Sequence, residues 1–326
     1  MVCNYKKYFK RVRKMNIGVI GIGDIARKAY IPLYAENWNH TFHFHTRKKE
    51  TLELVRSKYG FSTHTSLSSL FQEKLDGVMI HAATSAHEQL IFSCLEQGIP
   101  VFVDKPVTDS FSSTQRLVKI AEEKKIPLMV GFNRRFVPLY QQANSTTEAN
   151  MILLQKNRYH LPGEVKNFVY DDFIHVVDTL LYFLNSAPDK WEVKGQWAGS
   201  QLSSIMLSVS KGNQLAVGIM NRDAGVNEEV LEVMSPTKKT IVRNLSEYVV
   251  HEQRNETRTR TNDWQTMLNT RGFEAMLKTF FDHLENDTPL PLSLNDVLIT
   301  HELCEMIVDK LVGDNTINQL HGQRHT

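Results

Sequence analysis

The sequence predicts an α/β protein in two parts, a doubly wound parallel sheet followed by an α+β domain with a mainly antiparallel sheet. Three observations predict it. A glycine turn, Gly21-Ile22-Gly23-Asp24-Ile25-Ala26, joins a short apolar run to a helical pattern. Strand and helix signals then alternate as far as residue 132, the order that a parallel sheet with crossover helices requires. Beyond Phe136 the alternation stops and strand-like runs follow one another, with Lys211-Gly212-Asn213 and Ser235-Pro236-Thr237 as turns between some of them. A chain of 326 residues is long enough for two cores. Its 41% hydrophobic and 23% charged residues are those of ordinary globular proteins.

The first strand carries Ile17, Val19 and Ile20 into the turn. Residues without a Cβ suit that turn, because the backbone bends sharply and must let a pyrophosphate come close. The helix that opens there offers unpaired N–H groups and the positive end of its dipole. Gly21, Gly23 and Ala26, with Asp24 and Ile25 between them, are therefore expected to hold a nucleotide. The plain alternative is a bare strand-to-helix turn. Residues 41–46 (TFHFHT) form a second strand, 49–59 a helix, 61–64 a short third strand and 66–73 a short helix. A buried strand over 76–83 and a helix over 86–97 follow. Gly98-Ile99-Pro100 turns into a strand at 101–103, and a helix over 110–125 leads to a sixth strand at 127–132. The crevice of such a sheet lies at the carboxyl ends of its strands.

The residue ending the second strand selects the cofactor. A carboxylate there would bind the ribose 2′-hydroxyl of NAD. The sequence instead reads Thr46-Arg47-Lys48-Lys49, a hydroxyl followed by three cations. That suits a 2′-phosphate, so NADP is expected, with NAD as the alternative and a solvated helix start as the plain reading. His43 and His45 share one face of this strand, with His40 just before it. A metal would need a third ligand on that face and none stands nearby, so no metal is expected. His321 and His325 have H-x3-H spacing, but no cysteine pair stands upstream.

Lys105 follows Val101-Phe102-Val103-Asp104 at the carboxyl end of a buried strand, on the crevice side. An ammonium there stabilises an alkoxide that develops as hydride leaves. Pro106 fixes the backbone after it, at one of the few kinds of bond where a cis peptide occurs. Residues 171–185 form a helix in which Asp171, His175, Asp178 and Tyr182 make a polar stripe at i, i+4, i+7 and i+11. His175 is a candidate general base and Asp171 its orienting carboxylate. Alternatively Asp171 or Asp172 caps the helix and His175 is an interfacial histidine with its bonds satisfied. Arg134, Arg135, Lys156, Arg158 and His160 are candidates for a substrate mouth. If several converge, the substrate carries a carboxylate or phosphate.

In the second half, strands are expected over 151–158, 191–198, 203–210, 214–221, 229–234 and 240–244. The polar stretch 253–262 reads as an exposed strand or loop, and helices follow over 263–284 and 294–311. The divisions expected are 15–132 for the nucleotide-binding domain and 133–312 for the substrate and dimerisation domain, with disordered tails at 1–14 and 313–326. The first fourteen residues hold six basic side chains and no acidic one, without the apolar stretch of a signal peptide. Translation is expected to start at Met15, a basic binding arm being the alternative. A net charge of +2 gives no global field for nucleic acid or membrane. No apolar run has bilayer-spanning length. Cys3, Cys94 and Cys304 form no C-x-x-C, which favours a reducing compartment, by default the cytoplasm.

Taken in order, several segments resemble the glucose–fructose oxidoreductase, inositol dehydrogenase and rhizopine-catabolism (Gfo/Idh/MocA) family. They are Gly21-x-Gly23-x-x-Ala26, Ala83-Thr84-Ser85-Ala86-His87, Asp104-Lys105-Pro106 and Asp171-x-x-x-His175-x-x-Asp178. Gly131-Phe132-Asn133-Arg134-Arg135-Phe136 resembles the segment entering the second domain, especially in the virulence-factor-like (MviM) branch. The chain has Asp104 where the family has Glu, and Phe173 where it often has Gly. The resemblance implies a Rossmann domain and an NAD(P)-dependent oxidation or reduction of a sugar, cyclitol or similar small carbonyl compound. It implies Lys105, Asp171 and His175 as the catalytic set, with Ala83, Thr84, His87, Asp104 and Arg134 among the residues at the cofactor. It also implies a second subunit over the open face of the C-terminal sheet, hence a homodimer or larger homo-oligomer. A regulator that senses cofactor or sugar without turnover is the competing class.

Overall fold

The computed structural model describes residues 13–36, 39–146, 148–262 and 264–322, with side chains described as far as 315. The first sheet has six parallel strands, β1 (Asn16–Ile20), β2 (Thr41–His45), β3 (Ser62–His64), β4 (Gly77–Ile80), β5 (Val101–Asp104) and β6 (Leu128–Gly131). Their order is β3-β2-β1-β4-β5-β6, so the order reverses between β1 and β4, where a doubly wound sheet opens its ligand crevice. The helices Lys49–Tyr59, Leu67–Phe71, Thr84–Glu96 and Phe111–Lys124 stand where the sequence puts them. After the glycine turn, however, the first helix contains a π segment, Ala26–Tyr30, before continuing as Ile31–Glu36.

The second sheet has eight strands: β7 (Met151–Asn157), β8 (Lys190–Ala198), β9 (Gln201–Lys211), β10 (Gln214–Asn221), β11 (Glu228–Met234), β12 (Lys238–Arg243), β13 (Glu247–Glu252) and β14 (Asn255–Arg260). All neighbours are antiparallel except β7 and β10, which run parallel. The alternation of buried and half-buried residues shows one face packed and one face open. Helix Ile174–Leu184 covers the packed face, and it lies so close that a Cβ on Gly218 would sit 2.4 Å from Val176. The apolar core runs without a break from β5 and β6 through this helix into the second sheet.

Four expectations are corrected. β13 was missed, whereas the polar 253–262 stretch, expected as an exposed strand or loop, holds the edge strand β14. The helix expected over 263–284 is two, Met267–Thr270 and Phe273–Asn286, because Gly272 takes φ +78° between them. The helix expected over 171–185 begins earlier and holds a π segment, Val169–Phe173. The last helix runs Leu294–Gly322, past the expected stop at Leu311 into the stretch read as a disordered tail. Residues 1–12 and His325 lie outside the described residues, so the basic arm and the His321–His325 pair are not placed. No described helix is long and apolar enough to cross a membrane.

Candidate active site

The turn after β1 has a steric reason for its first glycine. Gly21 has φ +94°, and a Cβ there would lie 2.4 Å from the Ala82 nitrogen. Gly23 has no such reason, since its nearest neighbour would be 3.7 Å from an added Cβ. Nothing in the fold fills the space a side chain would take at Gly23, which fits a turn kept bare for a phosphate. Ala26 is wholly buried, whereas Asp24 faces solvent and pairs with Lys28 at 2.8 Å. Thr46, Arg47 and Lys48 follow β2 directly, and neither cation makes an ion pair among the described residues.

A cavity of about 440 Å³ opens beside this turn, lined by Ile25, Ala83, Thr84, His87, Asp104, Lys105, Arg134, Asp171 and His175. It therefore gathers all three residues expected to do chemistry and half of those expected at the cofactor. Gly21, Gly23, Asp24, Ala26 and the cations after β2 lie outside its lining.

Lys105 leaves the end of β5 through a cis bond to Pro106, and its Nζ donates to the backbone carbonyl of Asp171. Burial lowers its ammonium pKa, while Asp171, Asp172 and Asp104 pull it back up. His175 holds Nδ1 buried with no partner among the described residues. Burial first, then the cations Arg134 and Lys105, hold this imidazole well below the ordinary histidine range. These effects favour the neutral ring, the form that has a lone pair to offer. The π segment puts Asp171 and Asp172 at the same cavity in different states. Asp171 is exposed. Asp172 is buried and bound to Lys156 and Arg158, the latter at 3.0 Å. Burial disfavours the Asp172 carboxylate, but these two cations outweigh it and hold its pKa far below the usual range.

The polar stripe breaks after His175. Asp178 is buried and paired with Arg135 at 2.8 Å, away from the cavity, and Arg135 also lies over the Tyr182 ring. His160 likewise turns away, to Asp223. Of the five candidates for the mouth, Arg134 and Arg158 line the cavity. Arg134 is itself locked to Glu229 at 2.7 Å, holding that carboxyl down near 2 against the effect of burial.

Two sequence-expected cofactor residues also brace the framework. Asp104 accepts from Tyr30 and faces His81 Nδ1 at 2.9 Å, while His81 Nε2 meets Tyr34 at 2.8 Å. His87 faces the Pro106 carbonyl at 2.9 Å and the Ala82 carbonyl at 3.0 Å, tying together the loops after β4 and β5. The sequence reading missed Tyr30, Asn133, Arg271 and Phe273, all of which line the cavity. Asn133 accepts from Arg134 Nη1 and donates to the Arg271 carbonyl, so it fixes both arginines. The Arg271 guanidinium makes no ion pair among the described residues. Burial and the positive charges of Arg134 and Arg158 lower its pKa. The one signal for Arg271 was Gly272 beside it, a turn inside an otherwise helical pattern.

Comparison with known proteins agrees with this geometry. Residues 15–132 match the model of the oxidoreductase family with an NAD-binding Rossmann fold, and residues 138–253 match a YceM-like C-terminal domain. A Gfo/Idh/MocA family oxidoreductase from Vibrio cholerae is 30% identical with a TM-score of 0.88, the match covering 93% of this chain and 100% of that one. The dehydrogenase MviM from Clostridium difficile is 29% identical with a TM-score of 0.85, over 91% of this chain and 100% of its own. An inositol 2-dehydrogenase from Corynebacterium glutamicum is 26% identical over 50% of this chain and 45% of its own length. With a glycine turn, a lysine and a neutral imidazole gathered at one crevice, and with these relatives, the chain belongs to the Gfo/Idh/MocA family of NAD(P)-dependent oxidoreductases acting on CH–OH groups.

Proposed function

We propose that this protein is an NADP-preferring dehydrogenase or reductase for a sugar, cyclitol or related hydroxy or carbonyl compound that also carries an anionic group. The observation that carries the reading is the meeting of Lys105, Asp171 and His175 in one cavity. The nicotinamide, when bound, supplies the hydride acceptor or donor. In oxidation the neutral His175 accepts the hydroxyl proton, and the Lys105 ammonium stabilises the alkoxide. Asp171 holds Lys105 through its carbonyl, and its exposed carboxylate, at the same cavity as His175, would orient the imidazole once substrate is bound. Reduction reverses the proton transfer. Gly21, Gly23 and Ala26 would receive the pyrophosphate, with Asp24 and Ile25 completing the turn. Thr46, Arg47 and Lys48 would receive the 2′-phosphate, the basis for preferring NADP over NAD.

Arg158 and Arg271 supply the reading of an acidic substrate. Arg158 shares the Asp172 carboxylate with Lys156, and Arg271 brings a further positive charge to the cavity with no ion pair among the described residues. A carboxylate or phosphate on the substrate would answer it.

The test is a turnover screen at the nicotinamide band, with NADPH and NADH, over neutral and acidic sugars and cyclitols. Lys105→Ala is expected to lose several orders of magnitude in kcat while keeping NADPH affinity nearly intact. Arg271→Ala should raise KM for the acidic substrate by roughly 10–100-fold, the loss of one charge-assisted contact, with little change in kcat. Near-normal turnover in Lys105→Ala would remove the catalytic assignment. Cofactor binding without turnover of any substrate would favour the sensing regulator.

A further inference from the structure

Outside the hydride cavity, three metal-ligating side chains meet at the β2–β3 edge of the first sheet. The sequence places His43 and His45 on one face of β2 and offers no third ligand beside them. The fold brings that ligand from two other elements. β3 pairs with β2 so that His64 stands opposite His45, whose Nδ1 lies 2.9 Å from the His64 carbonyl. His64 reaches back to His43, its Nε2 lying 3.3 Å from His43 Nδ1. Glu73, just beyond helix Leu67–Phe71, places carboxylate oxygens 3.8 Å from His43 Nδ1 and 3.7 Å from His64 Nε2.

One donor atom from each of the three residues lies within 4.8 Å of the other two, the two nitrogens being 3.3 Å apart and each facing its own Glu73 oxygen at 3.7–3.8 Å. A tetrahedral zinc ion with bonds of about 2.0–2.1 Å to nitrogen and oxygen separates its ligand atoms by about 3.3 Å. The two nitrogens already stand at that spacing, and a small rotation of the half-exposed Glu73 carboxylate would bring one oxygen to close the third corner. Two imidazoles and one carboxylate are also the ligand types that a zinc-class ion takes. The histidine side chains are 7% and 10% exposed and the glutamate 41%, so the site has an enclosed floor and an entry past Glu73.

We propose that His43, His64 and Glu73 bind one zinc-class divalent cation, with the fourth position open to solvent, and that the ion clips β3 and the following helix to β2. The alternative is a metal-free hydrogen-bonded cluster of the same side chains.

The untagged full chain, stripped of metal with EDTA and dialysed, would be titrated with Co²⁺ and then Zn²⁺. One equivalent of Co²⁺ should bind with the visible absorption of a four-coordinate site, and Zn²⁺ should bleach it and raise the melting temperature. His64→Ala and Glu73→Gln should each weaken binding at least about tenfold and abolish the thermal shift. His325→Ala should change neither. Melting of the variants in EDTA, compared with that of the parent chain, separates loss of the ion from loss of the fold. Absence of four-coordinate Co²⁺ absorption, or stoichiometric binding that survives both His64→Ala and Glu73→Gln, would overturn the proposal.

Discussion

His175, half-buried, and His301, wholly buried, are both imidazoles with an enclosed nitrogen, but their hydrogen bonds assign them different work. His175 leaves Nδ1 without a partner among the described residues, the condition of a group waiting for a ligand. His301 is fully satisfied: Nδ1 donates to the Val297 carbonyl at 2.8 Å and Nε2 accepts the Val107 N–H at 3.0 Å. A proton on Nε2 would break the second bond, and burial pushes this imidazole down to about 4. Because the folded pKa lies below that of the unfolded chain, the unfolded state binds the proton first. The contribution is thus complete above about pH 6.5 and is lost as pH falls toward 4. The full difference is about 3 kcal/mol, of which about 2 should be gone by pH 5. Denaturant unfolding at pH 7.5 and 5.0 checks this. His301→Gln should be less stable at pH 7.5 and should show a pH difference smaller by about that amount. An undiminished difference would show that His301 titrates freely.

At the scale of elements, the π segment Val169–Phe173 decides which acidic residues belong to the site. It leaves Asp171 and Asp172 both at the cavity, while Asp178, in the regular helix beyond it, is held by Arg135 outside the lining. The sequence stripe treated Asp171, His175 and Asp178 as one surface because a regular helix repeats at 3.6 residues; the π turn alters that repeat around Asp171 and Asp172, and the Arg135 guanidinium takes the Asp178 carboxylate. Asp178 is consequently a structural partner. Asp178→Ala strips a buried guanidinium of its carboxylate and should cost roughly 3–5 kcal/mol. Melting temperature should fall steeply, while kcat per folded molecule at a temperature below the transition should stay near that of the parent. Asp171→Ala should do the reverse, lowering kcat with little change in melting, since its carboxylate is exposed. If both variants lost kcat with melting unchanged, the stripe read from the sequence would be the better description.

For the whole molecule, legibility followed locality. The first sheet was readable because each strand is a short apolar run closed by glycine, proline or a cap, all within a few residues. β14 was hard to read because every one of its residues is exposed, so no alternation marks it. Arg271, Asn133 and the His43–His64–Glu73 cluster were invisible for another reason: their neighbours come from distant parts of the chain. The open face of the second sheet was foreseen, and its register now gives it content. Met151 and Leu153 of β7 stand beside Leu215 and Val217 of β10, and Ile219 stands beside Met206 of β9. All six lie on the face away from helix Ile174–Leu184 and are half-buried or exposed. An apolar sheet face of this kind suits association, and a second copy of the chain is the occupant that the family resemblance implies. Val217→Arg places a charge at its centre, where the single chain tolerates it in solvent but a dimer would bury it unpaired. Sedimentation at micromolar concentration should show the parent chain as a dimer or larger and Val217→Arg as a monomer with an unchanged circular dichroism spectrum. A monomeric parent chain would mean that this face stays open in solution.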